Sequence, residues 1–269
     1  MKIVALTVFC VDIYPESKSR FIGGNSLNFA TQCVLSGCER VSVVGAVGND
    51  GYARQITEHL DQYGIDREHL YMVPGKTASN KIYLDERGDR YFQEDSWDGG
   101  VYQTFRLDCK DWEFVNKQDV AAIPYGDPNF KELLKNRKDR LKIVVDFLDS
   151  TAYHEILAFL PLCWLSFLSG NTQTVDFFMD YASYLPEPFI ITLGAKGSIA
   201  LYKGKKYEQK AFAIDKIVDT TGCGDAYQAA FACEWFGSMD LEKALLKGAR
   251  AASRVLSYRG AVQPRSNPN

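Results

Sequence analysis

A chain of 269 residues with 46% hydrophobic and 24% charged residues can bury the core of one large domain, and its composition is that of an ordinary globular protein. Its 31 Lys and Arg against 34 Asp and Glu give a formal net charge of -3, with no basic run able to neutralise a phosphate backbone, which argues against a nucleic acid partner. No apolar run approaches the roughly 18 residues of a membrane span, and Met1 to Cys10 lacks the pattern of a secretory leader, so no membrane partner and a cytoplasmic location are expected.

In chain order, Ile3 to Val8 reads as a buried strand, Leu27, Ala30 and Val34 share one face of a helix, and Val41 to Val44 reads as a second strand. A helix carrying Tyr52, Ile56, Leu60 and Tyr63 follows. Later strands are expected at Ile143 to Asp146, Trp164 to Leu168 and Phe189 to Leu193, separated by helical stretches. This βαβ alternation predicts parallel strands buried between two helix layers. One region breaks the rhythm. Ser79 to Leu84 and Arg90 to Gln93 flank the polar turn at 85–89 as a hairpin, and alternating residues within 11–22 add a further strand, so a small antiparallel sheet is expected from 11–22 and 77–105. Gln263 to Asn269 reads as a loose polar tail.

The seven cysteines, at 10, 33, 38, 109, 163, 223 and 233, are odd in number and form no Cys-x-x-Cys pair, which fits reduced thiols better than disulfides or a zinc site. His59, His69 and His154 are scattered without ligand-like spacing. The chemistry concentrates instead in Asp219-Thr220-Thr221-Gly222-Cys223-Gly224-Asp225, which precedes a helix rich in alanine and aromatics. Glycines at 222 and 224 let consecutive N–H groups of Gly222, Cys223 and Gly224 converge at a helix N-terminus, an anion site. Asp225 in the same first turn would stand beside a bound phosphoryl group, placed to take a proton from an attacking hydroxyl. Taken alone, Gly-x-Gly-Asp also reads as a capped turn.

The complete heptad resembles the C-terminal signature of the PfkB/ribokinase family of carbohydrate kinases. Three further matches run in family order. Gly23-Gly24-Asn25-Ser26-Leu27-Asn28 resembles its sugar-side Gly-Gly motif, Gly45-Ala46-Val47-Gly48-Asn49-Asp50 a structural segment, and Thr192-Leu193-Gly194-Ala195-Lys196-Gly197 its nucleotide-side loop. The resemblance implies a ribokinase-like three-layer α/β/α body with a small β lid, forming a single domain over 1–269. It implies ATP with Mg²⁺, with a monovalent cation as a further candidate; a homodimer through the lid is expected on the separate ground that exposed sheet edges often pair. By the same resemblance Asp225 is the base and Gly222, Cys223 and Gly224 form the anion hole. Asp12, Gly23, Gly24 and Asn28 would hold the sugar, and Thr192, Gly194 and Gly197 the nucleotide. Asn25 is expected to cap its helix, and the Cys223 thiol to have its pKa lowered by the helix N-terminus.

Three departures stand out, one of them Ala53 where the family commonly has a glycine within a few residues of Asp50. The family's metal-associated Asn-x-x-Glu falls near Ser169 to Thr174 without its glutamate, leaving the metal ligands unknown and Asp146 as a substitute. The family's early Gly-Asp is replaced by Thr7-Val8. Within the family, the first thirty residues and the hairpin are most similar to the fructosamine kinases, implying a sugar joined to an amino acid, such as fructoselysine, phosphorylated on its terminal hydroxyl. The acidic and aromatic stretch Glu94 to Asp98 would then face the amino-acid part. The alternatives are another sugar or nucleoside kinase of the family, or a non-catalytic sugar-binding regulator with a decayed metal site.

Overall fold

The computed structural model describes residues 1–263, so most of the expected polar tail lies outside the described residues. The chain opens with β1 (Lys2–Thr7), β2 (Cys10–Tyr14), β3 (Ser19–Gly23), α1 (Asn25–Leu35), β4 (Arg40–Gly48), α2 (Gly51–Tyr63) and β5 (Asp66–Val73). It continues through β6 (Ala78–Lys81), β7 (Tyr83–Leu84), β8 (Arg90–Tyr91), β9 (Trp97–Asp98), α3 (Cys109–Val115), β10 (Val120–Pro124), α4 (Phe130–Asn136), β11 (Lys142–Asp146) and α5 (Tyr153–Phe159). The last third holds β12 (Leu165–Ser169), α6 (Thr172–Met179), β13 (Phe189–Thr192), β14 (Ser198–Tyr202), β15 (Lys205–Gln209), α7 (Cys223–Ser238) and α8 (Leu241–Val255).

The main sheet runs β15-β14-β13-β12-β11-β10-β1-β4-β5, parallel from β13 to β5 and antiparallel at the β13-β14-β15 edge. Because successive strand residues point to opposite faces, Ile3 and Ala5 pack with α1, α2, α7 and α8, whereas Val4 and Leu6 pack with α3 to α6. Strands covered on both faces must be apolar throughout, which is why β10 and β11 read as short continuous apolar runs. Parallel strands put all their C-terminal ends at one edge. There Thr7, Pro124, Asp146, Ser169 and Thr192 stand in a row.

The lid is a second sheet of order β3-β2-β6-β9. Its outer pairs are antiparallel and its inner pair, β2 with β6, is parallel. The expected hairpin divides. Ala78 to Lys81 joins this sheet, and only Tyr83–Leu84 pairs with Arg90–Tyr91. The division follows from where the backbone donors go, since Ile82 N–H bonds to Ile13 O at 2.7 Å and Lys81 N–H to Ser96 O at 2.8 Å.

Asp50 fastens lid to body. It caps α2 by accepting from the N–H groups of Tyr52 and Ala53, and it also accepts from the Thr77 N–H at 2.7 Å and the Thr77 hydroxyl at 2.9 Å. The sequence match around Gly45 to Asp50 therefore has a structural cause. Asp50→Ala removes a helix cap and leaves buried Thr77 donors unmet, so a loss of about 1–3 kcal/mol in urea unfolding is expected; an unchanged midpoint would contradict this.

Candidate active site

The chain leaves the lid through Gly23 and Gly24 and turns at once into α1. A Cβ on Gly23 would lie 2.2 Å from Asp12 Oδ2, and Gly24 has φ +104° with Val8 O 2.5 Å from where its Cβ would be. The pair is thus required for close approach, with Gly23 leaving room for the Asp12 carboxylate. Gly24 is the residue that precedes the first turn, and Asn25 does not cap the helix as the sequence suggested. Its amide instead donates to Asp146 Oδ2 and to Asp225 Oδ1, both at 2.9 Å. One turn on, Asn28 Nδ2 donates to Asp225 Oδ2 at 2.8 Å. The Asn28 amide is therefore not free to read hydroxyls, but its Oδ1 is buried with no partner.

Opposite, Gly222 has φ +79°, and a Cβ there would sit 2.4 Å from Ala261 Cβ. Only glycine makes this turn into α7, whose first turn holds Cys223, Gly224 and Asp225. The Cys223 N–H closes on Thr220 O at 3.2 Å. Asp219 organises the approach to the turn. It accepts from Thr221 N–H at 2.8 Å, Gly260 N–H at 2.9 Å and the Tyr14 hydroxyl at 2.5 Å, the last of these from lid strand β2.

The lid contributes a row of side chains. Phe21, Asp12, Asn80 and Trp97 are consecutive cross-strand partners across β3-β2-β6-β9, and residues directly opposite one another share a face of the sheet. Asn80 Oδ1, like Asn28 Oδ1, is buried without a partner. Because a buried unpaired acceptor is costly, two of them beside Asp12 and Asp225 mark a place for a ligand rich in hydroxyl donors. The short hairpin docks on the Asp219 loop through Thr220 N–H to Gly88 O at 3.1 Å and Arg90 N–H to the Thr220 hydroxyl at 2.9 Å.

Burial sets the electrostatics. It pushes the Asp225 carboxyl up to about 7, with Asn28 and Arg90 opposing the rise and Asp146 and Asp12 adding to it. Burial likewise raises Asp12 to about 7 against the pull of Arg90, and it raises Asp146. Cys223 departs from expectation, since burial pushes its thiol up to about 11 and outweighs the Arg90 field. Desolvation of the buried thiolate here exceeds the stabilisation that a helix N-terminus and a nearby cation give.

At the segment expected to meet the nucleotide, Thr192 ends β13 with its hydroxyl 3.3 Å from Ser169 Oγ, and Gly194 has φ +57°. Gly197 is demanded by packing, because a Cβ would lie 2.0 Å from Gln209 O. In the segment compared with the family's Asn-x-x-Glu, Asn171 caps α6 in a reciprocal pair with Thr174, which stands at the glutamate position and is buried. That segment offers no carboxylate, and no cluster of three or more metal-ligating side chains occurs among the described residues. Thr7, where the family has glycine, holds φ +85° with its hydroxyl donating to Asp127.

Residues 10–268 match the pfkB family carbohydrate kinases, and the chain belongs to that family of ATP-dependent phosphotransferases. It is similar to the fructoselysine 6-kinase of Escherichia coli (strain K12), 29% identical over 256 residues covering 94% of this chain and 96% of that protein. It is also similar to the nucleoside kinase of Methanocaldococcus jannaschii, 40% identical over 274 residues with 94% and 87% coverage. Against the solved structure described as that organism's nucleoside kinase, the identity is 22% and the TM-score 0.72, with 98% and 94% coverage. Arabidopsis thaliana ribokinase complexed with ribose and ATP superimposes with a TM-score of 0.79 at 21% identity, covering 97% of this chain and 94% of that one.

Asp225 binds its proton more tightly in the folded chain than at the ordinary value of 3.8. Stability therefore falls as pH rises from about 4 through about 7. Asp225→Asn abolishes this loss. In thermal melts without ligands, the variant is expected to gain on the parent as pH is raised from 4 to 8; a difference that does not change with pH would contradict the buried-carboxyl reading.

Proposed function

We propose that this sugar kinase phosphorylates a fructosamine, such as fructoselysine, at its terminal sugar hydroxyl, with Asp225 as the base. The observation that carries the catalytic part is the fixed Asp225 carboxylate in the first turn of α7, held on both oxygens by Asn25 and Asn28. A base must be within hydrogen-bond reach of the proton it takes and have a pKa near the working pH, and a carboxyl raised to about 7 meets the second condition.

Asp12, Asn28 and Asn80 would accept hydrogen bonds from the sugar hydroxyls, and the Gly222 and Gly224 amides, with the Cys223 N–H already turned to Thr220 O, would receive the transferred phosphoryl group. The ATP phosphates would lie between that turn and the strand ends at Asp146 and Thr192. Mg²⁺ is commonly held by one or two carboxylates together with phosphate oxygens. With Thr174 folded into its cap, Asp146 is the carboxylate that fits this task, and the ion would neutralise phosphate charge there. Docking of the hairpin on Thr220 brings Arg90 toward the same charges and excludes water, which otherwise competes as phosphoryl acceptor.

The choice of fructosamine is supported by the similarity to fructoselysine 6-kinase along nearly the whole chain. It is also supported by the lid row that ends at Trp97, 41% exposed beside the acidic Glu94, Asp95 and Asp98, where an amino-acid tail would find an aromatic face and negative charge. A nucleoside is the second reading, favoured by the similarity to the nucleoside kinase. ADP release measured with fructoselysine, other fructosamines, ribose, fructose and nucleosides separates the two. Turnover with fructosamines is expected, and turnover confined to nucleosides would overturn the substrate assignment.

In the same assay Asp225→Asn is expected to lower kcat by about 10²–10⁴-fold, and a loss under tenfold would remove Asp225 from the role of base. Because Asp225 must be ionised to act, kcat/KM should fall as pH drops below about 7 and level off above it; a flat profile from pH 5.5 to 8 would contradict the assignment.

A further inference from the structure

Three cysteines meet on the face of the molecule formed by α1 and α7, away from the Asp225 turn. Helix α1 ends in a left-handed turn at Gly37, φ +93°, with Cys38 N–H bonded to Cys33 O at 3.0 Å and Gly37 N–H to Val34 O at 3.0 Å. This 6→1 and 5→2 pairing folds the residue after the glycine back over the last full turn of the helix, which here lays Cys38 over Cys33. From α7, Cys233 completes the group, its Sγ 2.6 Å from Cys38 Sγ. That separation leaves only about half an ångström to the length of a disulfide bond. Cys38 and Cys233 are partly exposed and Cys33 is fully buried. A cavity of about 240 Å³ opens on the pair, lined by Met1, Gly37, Cys38, Arg40 and Cys233 among others.

We propose that Cys38 and Cys233 are a redox-modification site that closes reversibly into a disulfide by exchange with a low-molecular-weight disulfide entering this cavity. The Cys38 thiolate attacks one sulfur of the small disulfide, forming a mixed disulfide and releasing one small thiolate. The Cys233 sulfur then attacks Cys38 Sγ, losing its proton and expelling the second small thiol. Two protein thiols are oxidised, one small disulfide is reduced to two thiols, and the balance needs no other reagent.

The roles follow from the surroundings. Hydrogen bonding from Cys233 and then Cys33 pushes the Cys38 thiol down, so Cys38 is the nucleophile. Contact with Cys33 lowers the Cys233 thiol, but Cys38 and burial together leave it raised, so it stays protonated until the second step. Cys223, raised by burial, would not compete. The bond would join the end of α1 to α7, the two helices whose first turns carry Asn25, Asn28 and Asp225.

The test is to treat the full-length protein with oxidised glutathione, alkylate the remaining thiols and map the peptides by mass spectrometry. A reductant-sensitive cross-link between the Cys38 and Cys233 peptides is expected. Cys233→Ser should retain a glutathione adduct on Cys38, whereas Cys38→Ser should give neither the cross-link nor an adduct at Cys233. Closing so long a loop should also raise the Tm of the oxidised parent by roughly 5–10 °C over the reduced form, a readout that requires no variant to fold. Modification confined to the exposed Cys109, or a cross-link between Cys38 and Cys33 in place of Cys233, would overturn the proposal.

Discussion

The Asn25 amide, with one hydrogen on Asp146 and the other on Asp225, holds together the three pieces of chain on which the site depends. Asp146 ends β11, Asp225 opens α7, and Asn25 opens α1 directly after the lid returns to the body. Two buried carboxylates repel each other, and each carries a desolvation cost of several kcal/mol unless it is hydrogen-bonded. A single neutral amide placed between them satisfies one oxygen of each without adding charge. Since Asn28 takes the other oxygen of Asp225, the carboxylate is fixed in orientation while remaining high in pKa. A lysine or arginine in that position would give firmer pairing and a weaker base.

The remainder of the site ties lid to body at several points. Tyr14 from the lid bonds Asp219, Asp219 holds the turn that precedes α7, and the Gly88 hairpin rests on Thr220 in the same turn. Asp50 and Thr77 make a second fastening on the far side of the lid. Between these points Asn80 Oδ1 on the lid face beside Asp12, and Asn28 Oδ1 on α1, are buried acceptors that the described residues do not satisfy. Unpaired acceptors and raised carboxyls cost stability in the unliganded protein, as is common where binding and catalysis need groups kept ready.

Much of this was legible in the sequence because its signals are local. The heptad from Asp219 to Asp225 requires a left-handed glycine and a following helix, and both are readable within a few residues. The alternating layers were visible in the apolar runs of β1, β11 and β13. What could not be read was set by distant partners. Asn25 has the form of a helix cap until Asp146, 121 residues away, is seen beside it. The Tyr14 bond to Asp219 spans 205 residues. The sequence also suggested a continuous strand from 79 to 84, whereas pairing of 78–81 with β2 leaves only a two-residue hairpin beyond it. Strand β15, Lys205–Gln209, is mostly polar because it is an edge strand. Asn80, between Ser79 and Lys81, has no local signal, and its place beside Asp12 follows only from the pairing of β2 with β6. The reciprocal Asn171–Thr174 cap shows how α6 begins where the family's glutamate is absent.

In the proposed reaction, the carboxylate held by Asn25 and Asn28 meets the hydroxyl to be phosphorylated. A crystal structure of the protein with fructoselysine and a non-hydrolysable ATP analogue tests it most directly. The terminal sugar hydroxyl is expected within about 3 Å of an Asp225 carboxylate oxygen, with other hydroxyls on Asp12, Asn28 Oδ1 and Asn80 Oδ1 and the γ-phosphate facing the Gly222 and Gly224 amides. A sugar bound elsewhere, or bound there with that hydroxyl turned away from Asp225, would contradict it.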